Sequence, residues 1–115
     1  MIDRRKLQPK PVHDLLAIQR VAASGRVSWQ DSVNDDLVKW EYSTDEVLEC
    51  LQALKPEHCS GNKDYNDGNG VFDVYKIRWR HYVPSQDKIY NEWLYIKIKL
   101  SRSGRAAFML SFHPY

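Results

Sequence analysis

The sequence predicts an α+β fold, with N-terminal helices packed on one face of a C-terminal antiparallel β-sheet. Three observations carry it. Apolar residues recur at helical spacing in the first half only, from Val12 and again from Val47. From Val71 onward they alternate with polar residues at the two-residue period of a strand. Turn signals then divide the second half into runs of about 71–83, 88–100 and 105–113. Helices followed by strands along 115 residues describe one domain.

The elements follow in order. Residues 1–10 read as a flexible arm, ended by Pro9 and Pro11. Val12, Leu15, Leu16, Ile18, Val21 and Ala22 form a helical stripe, and Gly25 is placed to stop it. Residues 26–42 leave two choices open: a short helix capped by Ser28 or Asp31, or a strand at VKWEY. Ser43 and Glu46 have the spacing of a capping box, with Asp45 and Glu46 in the first turn where the helix dipole favours acids. Val47, Leu48, Leu51 and Leu54 continue that helix until Pro56 ends it. SGNKDYNDGNG, residues 60–70, reads as a polar loop. Its Asp, Asn and Gly density invites a calcium-loop reading, but that spacing would make Tyr65 or Lys63 the first ligand. The three β runs, joined at Pro84–Asp87 and Ser101–Gly104, make an antiparallel meander.

Composition narrows the function. Hydrophobic residues are 43% and charged residues 28%, the balance of a chain that builds a core. No apolar run approaches the roughly 20 residues of a membrane span. The start, MIDRRKLQPKP, has no apolar stretch behind it, so neither a secretory signal nor a membrane protein is expected, and the cytoplasm is the expected location. Cys50 and Cys59 are then reduced thiols, with Cys50 on the core side of its helix. Cys50, His58 and Cys59 lack the second ligand pair of a structural zinc site, so no metal or other cofactor is expected.

Charge is divided unevenly. Residues 1–70 carry 9 Lys/Arg and 12 Asp/Glu, a net of −3, whereas residues 71–115 carry 8 Lys/Arg and 3 acids, a net of +5. Period-2 reading places Tyr90, Leu94, Ile96, Ile98 and Leu100 on one face of the second run, and Trp93, Tyr95, Lys97 and Lys99 on the other. In the first run Val71, Tyr75, Ile77 and Trp79 alternate with Lys76, Arg78 and Arg80. In the third, Ala106, Phe108, Leu110 and Phe112 face inward, and Arg105, Met109, Ser111 and His113 outward. His81 falls on the apolar phase and reads as structural, and His13 and His58 carry no role. A solvated face is one explanation of the outward cations. The interleaved rings favour another, since cations contact phosphates and rings stack unpaired bases, so single-stranded RNA suits the face better than a duplex groove. Lys76, Arg78, Arg80, Trp93, Lys97, Lys99 and Arg105 are the candidate RNA-binding residues.

The C-terminal half also resembles a known family. D-V-Y (Asp73–Tyr75) followed by a basic residue, Y-I-K-I (Tyr95–Ile98) and L-S-F (Leu110–Phe112) near the end are similar to the MqsR toxins. These belong to the RelE-like group of toxin–antitoxin ribonucleases. The likeness covers roughly residues 45–113. It implies a metal-independent endoribonuclease that cuts single-stranded mRNA, and a neutralising, DNA-binding antitoxin encoded beside it. It also implies four functional positions: a loop lysine, here Lys63; a polar residue before D-V-Y, here Phe72; the tyrosine of Y-x-K, here Tyr95; and a basic residue after S-F, here His113. Phe72 and His113 depart from the family's amide and lysine.

The chemistry of metal-free RNA cleavage fits these residue types. The ribose 2′-OH must lose a proton, the phosphorane must be stabilised, and the 5′-oxygen must gain a proton. An imidazole exchanges protons at neutral pH, whereas lysine and arginine remain cations that stabilise the phosphorane. Accordingly the catalytic candidates are His113 as acid or base, Tyr95 for proton transfer or orientation, and Lys63 for phosphate stabilisation, assisted by Lys97 and Arg78. Two other readings stay open. One is a non-catalytic RNA- or protein-binding module that retains the fold. The other is a protein-binding surface, since Trp93, Tyr95 and Arg80 are residue types of interface hot spots.

Overall fold

The first helix starts at a side-chain cap, not at the first apolar residue. In the computed structural model, which describes residues 9–115, helix α1 spans Leu15–Ala23, and the Asp14 carboxylate accepts the Leu16 N–H at 3.1 Å. Gly25, at φ 71°, ends its last turn by donating to the Ala22 carbonyl. The expected arm at 1–10 lies almost wholly outside the described residues. The ambiguous 26–42 stretch holds both a strand and a helix: β1, Val27–Trp29, and α2, Asp31–Trp40. VKWEY is therefore not a strand: Val38–Trp40 close α2, Glu41 caps it at φ 59°, and Tyr42 lies beyond.

Helix α3, Thr44–Ala53, begins as its sequence implies, with Ser43 Oγ accepting the Glu46 N–H at 3.1 Å. Only this half of the capping box forms. The Glu46 carboxylate turns inward to accept from Trp79 Nε1 at 3.0 Å and to pair with His81 Nδ1 at 2.8 Å. His81 is 2% exposed; its Nε2 meets the Trp40 carbonyl at 2.7 Å, and Tyr42 stacks on its ring at 3.8 Å. Both histidine nitrogens thus face oxygen acceptors, which fixes the ring in place. The structural reading of His81 agrees with this.

The remaining strands are β2, Cys59–Asp64; β3, Val71–Val83; β4, Lys88–Leu100; and β5, Ala107–Pro114. They form one sheet in the order β1-β5-β4-β3-β2. Two corrections follow. The sheet is mixed, because β1 lies parallel to β5, and it is not confined to the C-terminal half. Residues 60–64, read as part of a polar loop, belong to an edge strand that starts at Cys59: β4 fixes β3 from Asp73 onward, and the other edge of β3 supplies the backbone partners that the side chains of 59–64 do not call for. Helix α2 packs against β5, with Val33 and Leu37 in the same core as α1 and α3.

Ile18, Val47, Leu51, Leu94, Ile96, Ile98, Met109 and Phe112 meet in one buried cluster on the inner face. Asp73 is buried there too. Its carboxylate accepts the Val12 and His13 backbone N–H groups, each at 2.7 Å, and His13 Nε2 bonds the Val71 carbonyl. The chain before α1 is thereby held to the start of β3.

Candidate nucleic-acid interface

The outer face is positioned by the pairing of β3, β4 and β5. Tyr95 lies between Lys76 on β3 and His113 on β5, while Lys97 lies between Val74 and Ser111. Directly paired residues share a face, so Lys76, Tyr95 and His113 form one row across the sheet. The Tyr95 and His113 rings stack at 5.5 Å with 21° between their planes. Lys76 lies over the ring of Tyr115, 5.0 Å away, and Tyr115 meets Tyr95 edge-on.

One bulge changes the third strand. Lys97 pairs with Ser111 but Ile98 pairs with Met109, which leaves Leu110 as an extra residue. The bulge corrects the expected alternation. Ala107 and Met109 face the core, Phe108 and Leu110 stand on the cation side, and the phase returns for Phe112 and His113. The consecutive apolar residues Phe108, Met109 and Leu110 are the sequence signal of this break.

A cleft of about 610 Å³ opens beside the Tyr95–His113 row. Phe72 and Phe108, 6.4 Å apart, are its apolar part, and Lys97, Lys99, Ser111 and His113 form one wall. Gln30, Ser32 and Asp36 reach it from the start of α2, and Tyr65, Asp67 and Asn69 from the β2–β3 connection. The Lys97 ammonium donates to the Tyr65 hydroxyl and lies 5.6 Å from the Tyr95 ring. Lys99 donates to the Asn69 carbonyl and lies 5.2 Å from the Phe72 ring. Two ammonium groups are thus held at the cleft by rings and by the connection that folds over it.

His113 Nδ1 lies 2.8 Å from the Pro114 carbonyl, which can only accept. Hydrogen therefore sits on Nδ1, and in the neutral ring Nε2 keeps a lone pair able to take a proton. Among the described residues no hydrogen bond engages Nε2 or the Tyr95 hydroxyl.

The other candidates separate by distance from this row. Arg78 pairs with Trp93 on the next outward row, stacks on its ring at 5.8 Å and donates to Asn91 Oδ1 at 3.1 Å. Arg80 follows opposite Asn91, farther toward the β3–β4 turn. Lys63 is on a strand, not in a loop; it pairs with Phe72, stands 5.6 Å from the Tyr65 ring and does not line the cleft. Arg105 is a correction: it belongs to the β4–β5 turn, not to an outward strand position. The end of β4 is five residues from Tyr95, about 17 Å at strand rise. Tyr65, Phe108, Asn69 and Asp36 were not among the candidates, because tertiary folding and the bulge bring them in.

Among the described residues no three His, Cys, Asp or Glu side chains converge as metal ligands, and no helix is long and apolar enough to cross a membrane. No protein-family model matches this chain, and no curated protein matches it.

Proposed function

We propose that this chain is a metal-independent endoribonuclease that cleaves single-stranded mRNA, built on the RelE-like plan and acting as the toxin of a toxin–antitoxin pair in the cytoplasm. The observation that carries this is the Tyr95–His113 stack beside Lys97 at the mouth of a cleft lined by Phe72 and Phe108. An unstacked base enters the cleft against the Phe108 ring, which the buried Phe72 backs, and the adjoining phosphate meets Lys97 and Lys99. His113 Nε2 takes the 2′-OH proton. The 2′-oxygen then attacks phosphorus and the P–O5′ bond breaks, leaving a 2′,3′-cyclic phosphate. Tyr95 donates its hydroxyl proton to the departing 5′-oxygen and regains one from solvent. The Lys97 ammonium offsets the added phosphorane charge. Lys76, Arg78, Arg80 and Trp93 extend the binding track along the sheet, and Lys63 flanks it across Tyr65.

A purified chain incubated with a mixed-sequence single-stranded RNA in EDTA is expected to release fragments ending in 2′,3′-cyclic phosphate. A 2′-O-methyl RNA is expected to stay whole. Intact RNA with and without EDTA overturns the proposal. A specific observation favours a second reading, a non-catalytic RNA- or protein-binding module. The family's amide position is held by the buried Phe72, and Lys63 stands apart from the Tyr95–His113 row. RNA retention without cleavage would select it.

A further inference from the structure

Backbone pairing leaves one long edge without a strand partner beyond the short turn Pro56–His58 that lies against β3. β2 pairs with β3 only as far as Tyr75, whereas β3 continues against β4 in unbroken register to Val83. Among the described residues no strand pairs with the outer edge of Lys76–Val83, so every second residue there presents its N–H and C=O outward. Natural edges are blunted by prolines, bulges, shortness or charged side chains. Here only the charges of Lys76, Arg78 and Arg80 guard the edge, which turns away cationic or neutral strands but not an acidic one. This stretch has eight residues, more than a typical strand, with no proline and no bulge.

The side chains beside that edge are selective. Lys76, Arg78, Arg80 and Tyr82 project from β3 on the outer face, next to Ile89, Asn91 and Trp93 of β4, and no acid lies among them. Tyr82, Ile89 and Trp93 are 50%, 51% and 45% exposed. Asp87, at the turn, is occupied as the acceptor of the Tyr82 hydroxyl at 2.7 Å. Arginine and tryptophan at an open apolar surface are the residue types that anchor protein partners.

We propose that the Lys76–Val83 edge takes an acidic, extended segment of a partner protein as an added antiparallel strand. The backbone ladder holds it, and carboxylates at alternate positions pair with Lys76, Arg78 and Arg80. A second copy of this chain is the wrong occupant, because antiparallel β3 edges would set arginines beside arginines. RNA phosphates would meet the arginines but leave the backbone ladder unpaired. The inference does not depend on catalysis.

The probe is a ten-residue peptide alternating glutamate and valine, with a lysine–valine peptide as its counterpart. Binding is followed by fluorescence of the intact chain and by amide hydrogen exchange. The glutamate peptide is expected to bind and to slow exchange at alternate amides of 76–83. In a strand the glutamate and valine nitrogens face opposite edges. N-methylation of one set should therefore weaken binding at least tenfold and of the other set leave it unchanged. Arg78→Glu with Arg80→Glu should reverse the preference toward the lysine peptide. Equal sensitivity to both methylation patterns, equal binding of the two peptides, or no protection at millimolar peptide each overturns the proposal. So does protection that appears without peptide in a dimer, or with single-stranded RNA in place of peptide.

Discussion

Asp73 ties the segment before α1 to β3, and replacing it tests how that segment is held. Its carboxylate is 0% exposed and accepts two backbone N–H groups, from Val12 and His13, at 2.7 Å each. A hydrogen bond to a charged group contributes about 1.5–3 kcal/mol, so Asp73→Ala is expected to cost about 3–6 kcal/mol. Asp73→Asn is the sharper test. It keeps one accepting oxygen but turns an NH₂ donor toward an N–H donor, so about 3 kcal/mol should still be lost. Against a total stability of about 5–15 kcal/mol, either loss is plain in urea unfolding followed by tryptophan fluorescence. Amide exchange should lose protection at Val12 and His13 first. Because Asp73 faces the core and the cleft lies on the opposite face, RNA cleavage by the fraction still folded should be unchanged. An Asn variant within about 0.5 kcal/mol of the parent would refute the reasoning, since that is the scatter of a neutral surface change.

Other perturbations separate the two faces of the sheet. His113→Ala is expected to lower the single-turnover cleavage rate about 10²–10⁴-fold with little loss of RNA affinity; an equal loss of both would make His113 a binding residue. Lys97→Ala should weaken RNA binding and reduce the slope of log affinity against log salt by about one, which a titration at several salt concentrations reads directly. The Tyr75 hydroxyl is buried with no hydrogen-bond partner among the described residues, so Tyr75→Phe should be neutral or stabilising in a thermal melt, by about 1 kcal/mol. Burial, with Glu46 and Glu49 nearby, pushes the Cys50 thiol up to about 12, and burial also raises the Tyr42 and Tyr75 hydroxyls and the Cys59 thiol. The unfolded chain therefore gives up protons that the folded chain retains. The Cys50 contribution to stability is complete below its ordinary value near 9 and is lost as pH rises toward 12; Cys50→Ala should flatten that alkaline decline in urea unfolding.

The long strands were legible because period-2 patterning and their turns agree. The runs expected at 71–83 and 88–100 coincide with β3 and β4. The Ser43 cap and the Gly25 stop were legible because each acts on backbone within a few residues. What sequence did not show is what only a neighbour creates. CSGNKD has no strand pattern, and becomes β2 because the start of β3 offers unpaired backbone. The three residues of β1 hold too little pattern to register, and pair with β5 after Gly25 turns the chain. For the same reason the sequence alone puts Lys63 in a loop, and only the β2–β3 pairing shows its separation from Tyr95 and His113. The Tyr95–His113 row was legible in part, since both residues carry the outward phase.

The bulge at Leu110 shows how one inserted residue decides what the outer face can do. Strict alternation would bury Phe108 and turn Met109 toward the cations, leaving a flat row of charged groups over β-strand backbone. With Leu110 unpaired, Met109 fills the core at 0% exposure while Phe108 moves to the outer face opposite Phe72. A bulge also bends its strand, and this one lies between the rows of Lys97 and Lys99, whose ammonium groups bound the cleft. Apolar rings between cations are what an unpaired base with its phosphate requires, and a solvated edge requires only the cations. Phase correction thus serves two ends at once: it keeps the core filled, and it converts a charged surface into a cleft with an aromatic floor.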